Sequence, residues 1–216
     1  MKNIIIAIDG PAGAGKSTIA KIIAGKLGIE YIDTGAMYRA ITLKLYQLRC
    51  DLNDEVSINQ ILEDTRIDFI KNSIFLDGKN VDEEIRTPMI NENVSLVASL
   101  KIVRQKLVAI QQNIGKNKSI IMDGRDIGTY VFPHAHYKFF LTASVEERAY
   151  RRWKEMQEKG FQVNIKDIKE DIMKRDDMDT HREINPLYKA SDAIEIDTTG
   201  KTMEVVVNEI LSYIKK

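Results

Sequence analysis

Gly10-Pro11-Ala12-Gly13-Ala14-Gly15-Lys16-Ser17 follows directly on the apolar run Ile4-Ile5-Ile6-Ala7-Ile8 and matches the pattern Gly-x-x-x-x-Gly-Lys-Ser/Thr. Small residues at Gly10, Ala12, Gly13, Ala14 and Gly15 let the backbone curl tightly, with glycine free to take positive φ, so that successive N–H groups converge on one point. That geometry makes a nest for polyphosphate. The helix expected to begin near Lys16 adds the positive end of its dipole. Lys16 can then reach the terminal phosphates of a nucleoside triphosphate, and the Ser17 hydroxyl is placed to ligate an accompanying magnesium ion. Thr18 supplies one more first-turn hydroxyl and amide. Gly10, Pro11, Ala12, Gly13, Ala14, Gly15, Lys16, Ser17 and Thr18 are therefore the expected ATP contacts. A plain glycine-rich turn is the competing reading, but the motif stands between a strand and a helix, where phosphate binding needs it.

Downstream, Ile19, Ile22, Ile23 and Leu27 recur at helical spacing, and Gly28 stands where a left-handed residue ends a helix. Strands are expected near 3–8, 119–122, 137–141 and 193–197, alternating with amphipathic stretches, the last at about 202–214 with its stripe Val206, Ile210 and Ile214. This rhythm predicts an α/β fold, a parallel sheet covered by helices on both faces. Ser144 followed by Glu147 is a capping box for a helix over 145–158, and 88–114 reads as helical. Between 66 and 82 the runs Arg66–Ile70 and Ser73–Leu76, then the Asp77-Gly78 turn before Val81, predict a small antiparallel meander. It is either an edge hairpin without chemistry or an insertion into the α/β pattern.

A chain of 216 residues buries a full core as one domain, 1–216. Lysine plus arginine number 32 and aspartate plus glutamate 32, so no bulk charge coats a polyanion, and any anion must be bound locally. No nucleic-acid partner is expected. Cys50 is the single cysteine and closes no intramolecular disulfide, which fits a reducing compartment. The N-terminal apolar run is broken by Asp9 and is far short of a signal-peptide core, and no stretch approaches 18 apolar residues. These features predict a cytoplasmic protein without a membrane partner. His134, His136 and His181 show no zinc spacing with Cys50, and the acidic run Asp176, Asp177, Asp179 lacks a fourth ligand at coordination spacing.

A phosphate loop defines a superfamily, not an activity. A guanine-reading motif is missing, since Asn117-Lys118-Ser119-Ile120 lacks its aspartate and the only Asp-x-x-Gly, Asp197 to Gly200, comes too late in the chain. The length excludes a large mechanochemical ATPase and leaves a small kinase. Asp33-Thr34-Gly35-Ala36-Met37-Tyr38-Arg39, Glu84-Ile85-Arg86-Thr87, Met122-Asp123-Gly124-Arg125-Asp126-Ile127-Gly128-Thr129 with Val131-Phe132-Pro133, Glu158-Lys159-Gly160-Phe161, and Lys174-Arg175-Asp176-Asp177 with Asp179 and Arg182 together resemble bacterial cytidylate kinases, nucleoside monophosphate kinases of the P-loop class. The resemblance covers nearly the whole chain in order. It implies a parallel five-stranded core at 1–34, 115–144 and 183–216, a monophosphate-binding region with an inserted small sheet at 35–114, and a mobile lid at about 145–182. The 66–82 meander falls where that insertion belongs.

The same resemblance implies the acceptor site. Thr34, Arg39, Arg125 and Arg182 would meet the acceptor phosphate, Ser95, Arg104 and Asp126 the base, and Arg175 and Asp179 the ribose. Relatives carry serine at the position of Thr34, and the hydroxyl is kept. Arginine suits phosphate because its planar fork pairs with two oxygens and never loses its charge. Cytosine offers an amine to a carboxylate and N3 and O2 to a guanidinium, whereas uracil would set acceptor against acceptor, a loss of about 1–3 kcal/mol per group. Transfer of the ATP γ-phosphate to CMP, and to dCMP, is the implied activity, with ATP and Mg2+ as cofactors and a monomer as the expected state.

No general base is needed, because the attacking phosphate is already ionised and the barrier lies in bringing two anions into line. Lys16, Arg125, Arg148 and Arg152 are the expected catalytic cations, with Arg148, Arg151 and Arg152 aimed together from one helix face if 145–165 is the lid. That face also reads as solvated charge paired with Glu147 and Glu155. Asp123, at a strand end, either joins Ser17 at the metal through a water or orients the Gly124-Arg125 turn. Two alternatives stay open at this point: another small-acceptor kinase acting on UMP, AMP or a metabolite such as shikimate, and a non-catalytic nucleotide-gated binding protein.

Overall fold

The computed structural model describes residues 3–70, 73–158 and 160–214; Lys71 and Asn72 of the meander, Lys159 of the motif at 158–161, and the ends of the 1–216 domain lie outside it. The central sheet is parallel throughout and runs in the order β2 (Glu30–Asp33), β6 (Ile120–Gly124), β1 (Ile5–Asp9), β7 (Tyr137–Thr142), β8 (Ile194–Asp197). Four of these strands are the expected ones. The fifth, Glu30-Tyr31-Ile32-Asp33, has only two apolar residues between charged ends, too few to show a strand period, although Ile32 is fully buried.

Successive side chains on a strand point to opposite faces, and the two apolar layers follow that alternation. Ile6 and Ile8 of β1 and Ile121 of β6 pack with Ile19 and Ile23 of α1 (Lys16–Leu27) and Val206 and Ile210 of α8 (Met203–Ile214). Ala7, Ile120 and Met122 face the other way, against Met37 and Ile41 of α2 (Thr34–Gln47) and Leu107 of α5 (Lys101–Gly115). Helices therefore cover both faces. The helix α2, unread in the sequence, is apolar over most of its circumference, and Asp33 caps it by accepting from the Ala36 N–H at 2.9 Å.

The helical stretch from Pro88 is two helices, α4 (Pro88–Ser99) and α5, broken at Leu100, whose ψ of 123° is extended. The meander forms as β3 (Ile67–Ile70), β4 (Ser73–Leu76) and β5 (Lys79–Asn80), preceded by α3 (Glu55–Glu63). Ile67, Ile74 and Leu76 join the same buried layer as α2 and α5, so the small sheet is packed into the body of the fold. The pair α6 (Val145–Glu158) and α7 (Ile165–His181) has a small apolar cluster of its own, Ala149, Ile168 and Ile172. No helix among the described residues is long and apolar enough to cross a membrane.

Only half of the expected capping box at α6 forms. Ser144 Oγ accepts from the Glu147 N–H at 3.2 Å, but the Glu147 carboxylate pairs with Arg151 and the Ser144 N–H donates to Thr199 Oγ1. The phosphate loop bridges β1 and α1 as its spacing predicts, with Gly10, Gly13 and Gly15 at φ 144°, 78° and 85°. At Gly10 the demand is doubled, since a Cβ there would stand 2.0 Å from the Leu141 carbonyl oxygen. Gly10→Ala is expected to lower stability by at least about 3 kcal/mol, whereas Gly25→Ala, with open space around the new methyl, changes it by less than about 1 kcal/mol. Urea unfolding of both variants checks this, and equal midpoints would contradict it.

Candidate active site

The carboxyl ends of β1 and β6 set the phosphate loop beside the turn that begins at Gly124, because the two strands run in register from Ile5 opposite Ile120 to Asp9 opposite Gly124. Lys16 is 5% exposed and its Nζ donates to the Pro11 carbonyl at 2.7 Å. Burial and the neighbouring Arg125 guanidinium push its pKa well below that of a free lysine. An anion in the loop would reverse that shift.

Asp123 is buried at the end of β6. One carboxylate oxygen accepts from Ser17 Oγ at 2.8 Å and the other from the Tyr31 hydroxyl at 2.8 Å, while its carbonyl accepts from Thr34 Oγ1 at 2.6 Å. Burial, reinforced by Asp33, raises its pKa to about 6. A hydroxyl beside a carboxylate fits a magnesium ion that keeps water and phosphate oxygens as its remaining ligands. Among the described residues no group of three His, Cys, Asp or Glu side chains could cage a cation by itself.

On the far side of Arg125 the structure gathers the residues expected at the acceptor. Arg125 Nε donates to Asp179 Oδ2 at 2.8 Å, and Arg182 reaches Asp126 Oδ1 at 3.4 Å and Asp179 Oδ1 at 3.8 Å. Arg104, 1% exposed, pairs with Asp126, donates to the Ala98 carbonyl at 3.1 Å and lies 5.3 Å from the Tyr38 ring centroid. Arg39 Nε donates to Asn91 Oδ1 at 3.2 Å, and Ser95 is half-buried one turn further along α4. Thr34 opens α2 with its hydroxyl committed to Asp123.

Cations outnumber their partners here. Burial lowers the pKa of Arg39, and Arg86, Arg125 and Arg152 lower it further against the opposing pull of Asp33. Arg175 is pushed down to about 9, by burial first and then by Arg125 and Arg39. The buried Nε donors of Arg104 and Arg175 have no hydrogen-bond partner. A partly dry cluster of guanidinium groups with idle donors is a receptor for an oxyanion.

The arginine face of α6 is divided rather than aimed together. Arg148 is 4% exposed, and its Nη1 donates to the Ala12 carbonyl at 3.0 Å and to Asp176 Oδ2 at 2.5 Å. Asp176 in turn accepts from the Ala12 N–H at 3.3 Å, so the pair grips both sides of one residue of the phosphate loop. Arg151 turns to Thr198, donating to its hydroxyl and its carbonyl at 3.0 and 2.7 Å. Only Arg152 bears on the acceptor cluster, while pairing with Glu155 at 3.0 Å, and the Arg151–Glu147 pair is 2.9 Å long. The acidic run is likewise split: Asp176 at the phosphate loop, Asp179 at Arg125, and Asp177 on the surface against His181.

Tyr31, Asn91 and Asp9 contact the candidate site residues without having been singled out in the sequence, and Tyr38 stood there only within a motif string. Asp9 showed only as a charge interrupting a strand. It is 4% exposed and accepts from the N–H groups of Ile127 and Gly128, and burial raises its pKa to about 7.

A phosphate loop beside a cluster of guanidinium groups at the carboxyl ends of a parallel sheet is the arrangement of a P-loop kinase. Among solved structures the chain resembles a protein from Eubacterium ventriosum (TM-score 0.58, 13% identity) and a shikimate kinase from Bacteroides thetaiotaomicron (TM-score 0.50, 11% identity), each over 99% of both chains. At these identities the likeness is one of fold. The family profile for cytidylate kinase matches residues 6–216. Curated cytidylate kinases are 56% identical in Clostridioides difficile, over 99% of both chains, and 53% identical in Alkaliphilus oremlandii, over all of this chain and 99% of the relative. The chain belongs to the cytidylate kinase family.

Because Arg175 is buried and then crowded by Arg125 and Arg39, its folded pKa lies below its unfolded one. Its charge therefore costs stability at every pH below about 9, and the cost fades as pH rises above that value. Arg175→Met is expected to raise the ligand-free stability by about 0.5–2 kcal/mol while weakening CMP binding at least about tenfold. Thermal unfolding at pH 7 with and without CMP checks both halves, and a variant that loses stability without ligand would contradict the account.

Proposed function

We infer that this protein transfers the γ-phosphate of ATP to the 5′-phosphate of CMP, and of dCMP, giving ADP and the corresponding diphosphate. The observation that carries the reading is the pair of facing anion sites, the loop ending in Lys16 and Ser17 on one side and the Arg39, Arg125, Arg175 and Arg182 cluster on the other, with Arg125 close to both. Identity of 56% over the full length to a cytidylate kinase sets aside UMP, AMP or shikimate as the principal acceptor and a non-catalytic role.

The work of the chain is to hold two polyanions in line and to neutralise the charge between them. Main-chain N–H groups of Gly13 to Thr18 take the triphosphate, and Lys16 moves from the Pro11 carbonyl to its terminal oxygens. Ser17 Oγ and, through water, Asp123 would hold magnesium, which supplies charge neutralisation between the β- and γ-phosphates when bound. Arg39, Arg125 and Arg182 grip the acceptor phosphate with the Thr34 hydroxyl beside them. Asp126, with Arg104 and Ser95, reads the base, and Arg175 and Asp179 hold the ribose. Loss of one ribose hydroxyl removes one contact and leaves the phosphate and base sites intact, so dCMP remains a substrate.

The lid is the α6–α7 pair over 145–182, between a core at 1–34, 115–144 and 183–216 and a monophosphate-binding region at 35–114. Arg152 is the lid cation nearest the transfer. Arg148 serves the reaction through the phosphate loop, by holding the Ala12 peptide, and this replaces its expected place on the transferring phosphate. The same reading makes the protein a cytoplasmic monomer acting on small molecules, without a nucleic-acid or membrane partner. Its zero formal charge and single Cys50 support that placement.

Asp126→Asn replaces an acceptor of the cytosine amine by a group that can also donate to uracil O4, while keeping the shape opposite Arg104. The ratio of kcat/KM for CMP to that for UMP is expected to fall about tenfold or more. Steady-state rates with both monophosphates measure it, and an unchanged ratio would place base recognition elsewhere.

A further inference from the structure

We propose that Asp9 is a positioning residue for acceptor specificity: it ties the strand that carries the phosphate loop to the turn that carries Asp126, and so fixes the carboxylate that reads the base. The proposal rests on the base-reading role of Asp126.

The geometry is bidentate. Asp9 Oδ1 accepts from the Ile127 N–H at 2.9 Å and Oδ2 from the Gly128 N–H at 2.7 Å, the two peptide groups that immediately follow Asp126. This stretch is a wide π turn, Ile127–Val131, closed by bonds from the Tyr130 and Val131 N–H groups to the Asp126 carbonyl and from Phe132 to that of Ile127. Those bonds satisfy the carbonyls at the start of the turn and leave its first N–H groups for Asp9. The Asp126 side chain is fixed by Arg104 and Arg182, and its main chain is fixed from the other end by Asp9.

Space enforces the same register. A Cβ on Gly128 would stand 3.3 Å from Asp9 Oδ2 and 3.2 Å from Lys138 Cδ, so the turn lies tight against both side chains. Lys138 is itself held, its Nζ donating to the Pro133 carbonyl at 2.5 Å and to both oxygens of Asp192. A buried carboxylate with a raised pKa is an expensive way to fill a strand end, and Gly10 follows at once as the first residue of the phosphate loop. The Asp9 side chain thus holds the base-reading turn against the end of β1, while the backbone pairing of β1 holds the phosphate loop.

Asp9→Asn keeps the size but offers an amide N–H to one of the two peptide N–H groups, so one tether is lost. In the full chain the ratio of kcat/KM for CMP to that for UMP is expected to fall at least fivefold, with KM for CMP raised, while the Kd for a non-hydrolysable ATP analogue changes less than twofold. Gly128→Ala presses on the same contact from the opposite side and is expected to give the same signature should Asp9→Asn fail to fold. In an Asp126→Asn background, adding Asp9→Asn should leave the ratio where Asp126→Asn put it. If Asp126→Asn narrows the ratio but both tether variants leave it at the wild-type value, the tether has no role in specificity and the proposal falls. An Asp126→Asn ratio equal to wild type would instead refute the base-reading role on which it rests.

Discussion

Desolvation of guanidinium groups crowded at the carboxyl ends of the sheet is the constraint on which the site depends. Burial first, and then Arg125 and Arg152 beside them, disfavour the charges of Arg39 and Arg175, while Asp179, paired with Arg125, supplies part of the compensation. Phosphate oxygens can supply the rest, and because guanidinium stays protonated at neutral pH the cluster cannot escape by shedding protons. Secondary structure concentrates the charges. On α7, Arg175 and Asp179 are four residues apart and share a face, with Arg182 at the helix end, and Arg125 comes to meet them from the turn after β6.

The way the helix pair α6–α7 is attached follows from the same charges. Its own apolar cluster is small, and its ties to the rest of the molecule at the cleft are polar: Arg148 and Asp176 to Ala12, Asp179 to Arg125, Arg182 to Asp126. Apolar burial holds an element regardless of ligand, whereas charged contacts strengthen or yield as anions come and go. As the proposed lid, an element fastened in this way would move over bound substrates without unpacking the core layers around the sheet. The Arg148–Asp176 pair makes the phosphate loop itself part of that fastening.

Local patterns made the frame of the fold legible. The phosphate loop, the helix it starts, four strands, the small antiparallel sheet and the last helix all carry periodicity or turn chemistry within a few residues. β2 escaped because four residues with charged ends have no period, and α2 because burial on most sides erases the amphipathic stripe. The residues proposed for the acceptor site could be named only through resemblance, since Arg39, Arg104, Asp126 and Asp179 are scattered along the chain and are brought near one another only by the fold. A shared helix face does not make a shared partner: Arg148, Arg151 and Arg152 are neighbours on α6, yet Arg148 holds Ala12 and Asp176 while Arg151 and Arg152 pair with Glu147 and Glu155, as the alternative reading of that face had it. Asp9 was invisible as a site residue for a similar reason, because its partners are main-chain N–H groups more than a hundred residues away.

The balance of charge across the cleft is tested most directly by a crystal structure with CMP and a non-hydrolysable ATP analogue bound together. The account predicts the CMP phosphate among Arg39, Arg125 and Arg182, with Lys16 released from the Pro11 carbonyl onto the triphosphate. A CMP phosphate bound away from those guanidinium groups, with Lys16 still on Pro11, would contradict it.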